Sequence, residues 1–293
     1  MLPFSTFEEA ETAVGRNLTT ADALWFRYTA AIPDSWLFYL NTIFLFIIFN
    51  TATLPSLLLN VLGQTTFPYL RRFKLQPSFT PLPVAFQIYK SVIETFIFLL
   101  MPLQLSSYPL VKYIGIRTSL PLPSLWEVLA QITIYFMIED YLHYWMHRWL
   151  HTEWAYNNIH YKHHESITVT SLSAPYAHWL EVLLLGLPSF AGPAFVPGHI
   201  VTIWLWFALR QLETIETHCG FDFPWWPTKL IPFYGGSEYH DYHHFVGGKS
   251  QNNFASVFTY CDYIYGTNKG YRFKKRYEGN SFNLTLQHAS RIL

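Results

Sequence analysis

Charge is scarce in this chain. Only 13% of its 293 residues are Asp, Glu, Lys or Arg, about half the share that a soluble domain carries. The charges present cancel, 19 against 19, so nothing favours nucleic acid or a strongly basic membrane patch. Cysteine is nearly absent. Cys219 and Cys261 cannot build a disulfide framework, which places the working part on a reducing side. Cys219 directly follows His218 and reads either as a small buried core residue or as an extra ligand. The opening stretch, MLPFSTFEEAETAVGRN, is acidic and has neither a basic n-region nor an apolar run. No secretory leader is expected there, and membrane insertion is expected from internal segments.

Apolar residues make up 51% of the chain and aromatics 19%. Residues 1–35 read as one or two short amphipathic helices, with Ser5 or Thr6 as a cap and Glu8 and Glu9 in the first turn. Asn17-Leu18-Thr19 is a glycosylation sequon, meaningful only at a lumenal end. Trp36–Leu62 is long enough to span a bilayer, and Pro55 is expected to kink it or end its regular part. Phe86–Leu105 is a second apolar block, whose Glu94 is expected to face protein rather than lipid. A third, Leu125–Trp145, runs directly into a histidine-rich stretch. Residues 178–212 read as a helical hairpin too short for two full spans, turning at Gly192, Pro193, Pro197 and Gly198. The aromatic and proline-rich run 221–234 suits a membrane interface. Asn253–Tyr265 reads as a short amphipathic helix, and the tail from Lys269, with Lys274, Lys275 and Arg276, as a solvated basic segment. Arg71, Arg72 and Lys74 place the loop after the first block in the cytosol, which puts the histidines there too; the N-terminus is then lumenal if that block is a single span.

The histidines come in three packets: HRWLH at 147–151, HYKHH at 160–164 and HDYHH at 240–244. Residues three and four apart share a helix face, so each packet can aim several imidazoles at one place. A tetrahedral zinc takes four ligands, whereas the packets offer eight histidines, with His178 and His218 close by in the chain. That is too many for one metal and suits two. Imidazole without thiolate suits iron, zinc or copper, and does not choose among them. His143, His199 and His288 stand alone and read as hydrogen-bonded core or interface residues. Asp140 lies seven residues before His147, on the same helical face. It can orient a ligand ring through the other N–H, or simply make a carboxylate hydrogen bond with no metal role.

The three packets resemble the histidine boxes of the fatty acid hydroxylase superfamily. The phrases APYAHWLEVLLLG, LRQLETIETHCGFDFPW, IPFYGGSEYHDYHH and NFASVFTYCDYIYGT are similar to those of sterol 4α-methyl oxidases (methylsterol monooxygenases), most of all the plant type-one branch. The resemblance implies an all-α integral membrane protein, whose transmembrane helices carry a cytosolic helical cap with a histidine-rich di-metal site. The expected organisation is an N-terminal segment 1–35, membrane anchor 36–124, hydroxylase-type catalytic domain 125–268 and tail 269–293. It implies His147, His151, His160, His163, His164, His240, His243 and His244 as ligands, with His178 and His218 as extra ligands from between the second and third boxes. Asp140, His143 and Asp241 are then supporting groups beside them. It further implies two irons, with zinc as the alternative occupant. The reaction would be the O2-dependent conversion of the 4α-methyl of a 4,4-dimethylsterol, such as 24-methylenecycloartanol, through alcohol and aldehyde to carboxylate. Electrons would come from NAD(P)H through cytochrome b5 and its reductase, in the endoplasmic reticulum membrane. A separate sterol 4-carboxylate dehydrogenase/decarboxylase would remove the acid.

One stretch departs from the family pattern. SITVTSLS at 166–173 stands where a Pro/Gly/aromatic run is expected, and is placed beside the substrate entrance. Two other readings remain: a fatty-acyl or sphingolipid hydroxylase or aldehyde-processing wax enzyme of the same superfamily, and a catalytically idle scaffold that binds metal and sterol.

Overall fold

The computed structural model describes residues 4–246 and 251–272. Among these the chain is helical, and strand pairing is confined to isolated bridges such as Lys74 with Phe221. The basic tail residues Lys274, Lys275 and Arg276, and His288, lie outside the described residues.

Two short helices open the chain, α1 (Phe7–Val14) and α2 (Thr20–Thr29). Thr6 caps α1 by accepting from the Glu9 N–H, and Thr19 with Asp22 forms a capping box on α2. Trp25 fixes this segment to the rest. Its indole N–H donates to the Thr118 carbonyl at 2.9 Å, and its ring stands edge-on to His199 and Trp204.

Helices α3 (Asp34–Thr65) and α4 (Leu82–Ser106) are long and apolar enough to cross a membrane. The packing of α3 is inside-out. On α3 the buried positions include Asn41, Thr42, Thr53, Ser56, Asn60 and Gly63, while Ile43, Phe44, Ile47, Leu54 and Leu58 are exposed. Small and polar residues gather at helix contacts when the surrounding solvent is itself apolar. Pro55 does not end α3, which continues to Thr65. In α4 the run Phe96–Leu100 forms a π-turn. Glu94 corrects the expectation made for it: it is exposed and lies 3.8 Å from Lys90 one turn earlier. An opposite charge on the same helix lessens the cost that would otherwise force it inward.

Helix α5 (Leu125–Leu150) shows the same inversion. Gln131, Tyr135, Glu139, Asp140 and Tyr144 are buried, while Trp126, Met137, Tyr141, Trp145 and Trp149 are exposed. Helix α6 (Trp179–Phe195) lies along α5, and α7 (Ile200–Thr217) packs on α3 and α5. The α5–α6 contact is close enough that a Cβ on Gly192 would sit 2.8 Å from the Tyr135 backbone. The expected turn at Gly192 and Pro193 is absent, because both lie within α6. A proline in a helix frees the carbonyl four residues back. Here that carbonyl, Ser189, accepts from the Trp206 indole at 2.7 Å, so the helix runs on without an orphaned group.

Helix α8 (Gly236–Val246) carries the third histidine packet, and α9 (Tyr260–Tyr265) follows. The expected helix over Asn253–Tyr265 is therefore only its second half. Asn253 adopts φ 60°. The Asp262 carboxylate accepts from the Phe254 and Ala255 N–H groups at 3.0 and 2.9 Å, which holds 253–257 as a loop.

Candidate metal centre

The last turns of α5 deliver His147 and, at its C-cap, His151. The chain then turns through a short helical stretch whose centre, Tyr156–His160, is a π-turn, and ends in Tyr161–His164. Such bulges re-aim side chains that regular helical spacing would misplace. His218 caps the C-terminus of α7, and α8 supplies His240, His243 and His244.

These nine rings form two adjoining groups. His147, His151, His160, His164 and His243 make one; His163, His218, His240 and His244 make the other. The second and third packets are each divided. In the second, the first and last histidines join the five-membered group and His163 crosses over; in the third, His240 and His244 join the four-membered group and His243 crosses over. All nine are buried or nearly so.

Five of the nine rings are held from behind. Nδ1 of His147 faces the Phe254 carbonyl at 2.9 Å, that of His243 faces Asn252 O at 2.8 Å, that of His218 faces Thr214 O at 2.9 Å and that of His163 faces Tyr176 O at 3.2 Å. A carbonyl only accepts, so these Nδ1 atoms carry the proton and each Nε2 presents a lone pair. His160 Nδ1 lies 2.8 Å from the Glu181 carboxylate.

The front atoms then face one another. Nε2 of His218 is 3.4 Å from that of His163 and 2.9 Å from that of His240, which is 3.2 Å from that of His244. In the other group, His151 Nε2 is 3.1 Å from His243 Nε2 and 3.0 Å from His160 Nε2, which is 3.1 Å from His164 Nε2. Between His218 and His163 no proton is available, and two lone pairs at this range repel. A cation at the centre reverses the sign. With metal–nitrogen bonds of ~2.1 Å, ligand nitrogens around one ion stand ~3.0–3.4 Å apart, close to the 2.9–3.4 Å found.

Burial and the neighbouring rings hold the imidazoles neutral, as ligands must be. Burial brings His163 and His243 down to about 4 and His218 to about 3. Burial, then adjacent imidazoles, pushes His160, His164, His240 and His244 well below the ordinary histidine range. The residues therefore fit a pair of metal ions, with imidazole donors that iron, zinc or copper accept.

A cavity of about 260 Å³ opens on both groups. His147, His160, His163, His218 and His240 form one wall, and Ala174, Pro175, Ala177, Val182 and Leu185 form the apolar side. Arg210, Glu181, Thr214 and Ser256 are its polar fringe.

A family model described as fatty acid hydroxylase matches residues 132–267. The chain is 55% identical over 277 residues to methylsterol monooxygenase 1-1 of Arabidopsis thaliana, covering 94% of this chain and 93% of that one. The chain belongs to the fatty acid hydroxylase family, in its methylsterol monooxygenase branch. Methylsterol monooxygenase 1-2 of the same plant is likewise 55% identical, over 280 residues, covering 94% of this chain and 92% of that one. A rice protein (Oryza sativa subsp. japonica) named very-long-chain aldehyde decarbonylase GL1-10 is 57% identical over 279 residues, covering 95% of this chain and 92% of its own. No solved structure matches the chain.

Within this member of the hydroxylase family, nine of the ten histidines expected as ligands come together and His178 does not. His178 caps α6, its Nδ1 accepting from the Leu180 N–H at 3.3 Å, and its ring lies against Trp179. Asp140 does not orient a ring. Its Oδ1 accepts from the Val257 and Phe258 N–H groups at 2.8 and 3.1 Å, and so fixes the loop that holds out the Phe254 carbonyl to His147. Asp241 accepts from Gln76 at 2.8 Å, and Gln76 also donates to Ile167 O at 2.7 Å; this ties α8 to the 166–173 segment. His143 lies 3.4 Å from Glu139 and lines the cavity. Cys219 is a core residue, packed with Phe221 and Phe223. Burial raises its thiol to about 12, so it is an inert thiol rather than a ligand.

The 166–173 segment does not line the cavity. Ser171 donates to Ile215 O at 2.9 Å, and Leu172 packs with Phe49, Ile88 and Ile215; residues 174–177 form the cavity edge instead. Sequence reasoning missed Glu181 and Arg210. Both are buried ionisable groups in apolar helices, and that cost is itself a signal. Arg210 joins Glu139 at 2.8 Å, Ser256 at 2.9 Å and the Glu213 carboxylate.

Proposed function

We propose that this protein is a membrane-bound oxidoreductase that oxidises the 4α-methyl group of 4,4-dimethylsterols, such as 24-methylenecycloartanol, in three O2-dependent steps to the carboxylate. The observation that carries the reading is the cavity, with two imidazole groups on one wall and apolar residues on the other. The metals are proposed to be two irons, with His147, His151, His160, His164 and His243 holding one, and His163, His218, His240 and His244 the other. An iron pair would supply the oxygen activation that no side chain can provide for an unactivated C–H bond.

The rest falls to the chain. Backbone carbonyls and Glu181 hold the Nδ1 protons of five rings, which leaves Nε2 free as donor and fixes each ring plane. Ala174, Pro175, Ala177 and Leu185 exclude water from the reacting end. Arg210, Ser256 and Thr214 offer hydrogen bonds to the sterol 3-hydroxyl, one carbon from the methyl. The proposed setting is the endoplasmic reticulum membrane with the cavity facing the cytosol, where cytochrome b5, its reductase and the downstream decarboxylating dehydrogenase would meet it.

The test is expression in a yeast strain lacking its own methyl oxidase, with sterol profiling. Rescue and loss of the 4,4-dimethylsterol support the reading; persistent accumulation despite membrane-inserted, metal-loaded protein counts against it. The rice relative's name supports a second reading, turnover of a long-chain aldehyde. The same cells report on it, since long-chain alkane would then appear without sterol rescue.

A further inference from the structure

We propose that the sterol's aliphatic side chain leaves the histidine cavity through a second chamber between α3 and α4, and that this chamber selects among sterol side chains. The inference rests on the sterol reading above and adds a binding site to it.

The second chamber holds about 130 Å³ and is lined by Phe46, Phe49, Val92, Ile93, Phe96 and Leu100. It shares two lining residues, Pro175 and Val182, with the histidine cavity. These two residues mark where the two spaces meet. The π-turn Phe96–Leu100 forms part of the chamber wall, and such turns often mark functional sites. Thr42 and Gln104 also line it, joined by a 3.2 Å hydrogen bond between α3 and α4.

The substrate's chemistry matches this division. A 4-methylsterol carries its one polar group beside the reacting carbon and its alkyl tail at the opposite end of a rigid frame. With the methyl at the histidines, the hydroxyl meets the polar fringe and the tail must leave the cavity. The chamber between the two candidate membrane helices adjoins that cavity at Pro175 and Val182 and is mostly apolar. A third groove, lined by Asn50, Leu54, Leu57, Phe86, Tyr89 and Leu172, shares no lining residue with the histidine cavity, and so offers no such route. Lipid tails are as apolar as these side chains, so the chamber gains little by transfer and discriminates by shape.

Two measurements test it in the full-length protein in lipid nanodiscs. In the first, a 4,4-dimethylsterol with a diazirine at the end of its side chain is photolysed, and the labelled peptide is sequenced. Label in residues 42–49 or 92–104, competed by unlabelled sterol, supports the chamber; competed label confined to the third groove, or to residues 214–218 and 255–256 of the histidine cavity, overturns it. In the second, Ile93→Trp is compared with Leu54→Trp in the third groove. Ile93→Trp should shift kcat/KM by roughly tenfold or more (about 1.4 kcal/mol) toward a sterol lacking the side chain, with metal content retained. Leu54→Trp should leave that ratio unshifted. An unshifted ratio in metal-loaded Ile93→Trp overturns the proposal. Competed label in the chamber of a protein that oxidises no sterol would leave the chamber standing and remove the methyl-oxidase reading.

Discussion

Replacing His218 by alanine should remove one metal ion and leave the other. His218 belongs to the four-membered group, with its Nε2 at 2.9 Å from that of His240 and 3.4 Å from that of His163. Four-ligand structural sites are worth ~10–16 kcal/mol, so an equal share is ~2.5–4 kcal/mol per ligand, or about 10²–10³ in affinity. The five-membered group keeps every ligand. Metal analysis of detergent-purified protein after dialysis against a weak chelator should fall from two ions per chain toward one, matching the two groups. His178→Ala is the internal control. It removes only an N-cap acceptor, worth about 1 kcal/mol of stability, and should keep both ions. Retention of both ions by His218→Ala, or loss of one by His178→Ala, would refute the partition of rings described above.

Other perturbations follow from the same geometry. Glu181→Gln replaces the carboxyl beside His160 and should weaken metal retention about 10–100-fold while melting temperature stays near wild type; unchanged retention would show the contact to be incidental. Arg210→Leu strands Glu139 and Glu213 in the core and should cost about 3–5 kcal/mol, read by denaturation in detergent; a shift within error would contradict that charge network. Gly192→Ala drives a Cβ into Tyr135 and should cost about 1–3 kcal/mol, visible as a lower melting temperature; an unchanged melting point would contradict the close α5–α6 contact. Acid should destabilise the metal-free protein. His163 and His243 sit at about 4 and His218 at about 3 when folded, against ~6.5 unfolded. The unfolded chain therefore binds more protons in that window, so this stability is complete above pH ~6.5 and is lost as pH falls toward 4. Melting temperatures of chelator-treated protein at pH 7 and pH 5 measure it, and a rise on acidification would overturn the assignment of neutral, buried rings.

The histidine boxes are legible in sequence because ligand spacing is local: i, i+3 and i+4 positions on one helical turn need no tertiary knowledge. The division into five and four is not legible, since it depends on the π-turn at Tyr156–His160 and on how α8 meets α5. His218 and His178 look alike in sequence, each next to a helix end. One lies at the C-terminus of α7 and reaches the cluster, while the other turns back to cap α6. Asp140 is on the His147 face as expected, yet it acts one step removed, through the loop that carries the Phe254 carbonyl. Pro193 shows why proline is a poor stop signal here: the acceptor it frees is satisfied by Trp206, far along the chain. The inside-out helices were readable only in part. Apolar blocks locate α3 and α4, but the buried carboxylates of α5 disguise a helix whose outer face is apolar.

The central claim is that the paired imidazole groups serve oxidation of a sterol methyl by molecular oxygen. The most direct measurement is turnover of a 4,4-dimethylsterol under 18O2 by membranes containing this protein and an electron-donor system, with mass spectrometry of the product. The product should carry 18O on the former 4α-methyl carbon, and His163→Ala or His243→Ala should abolish it. Unlabelled product, or labelled product undiminished in both variants, would contradict it.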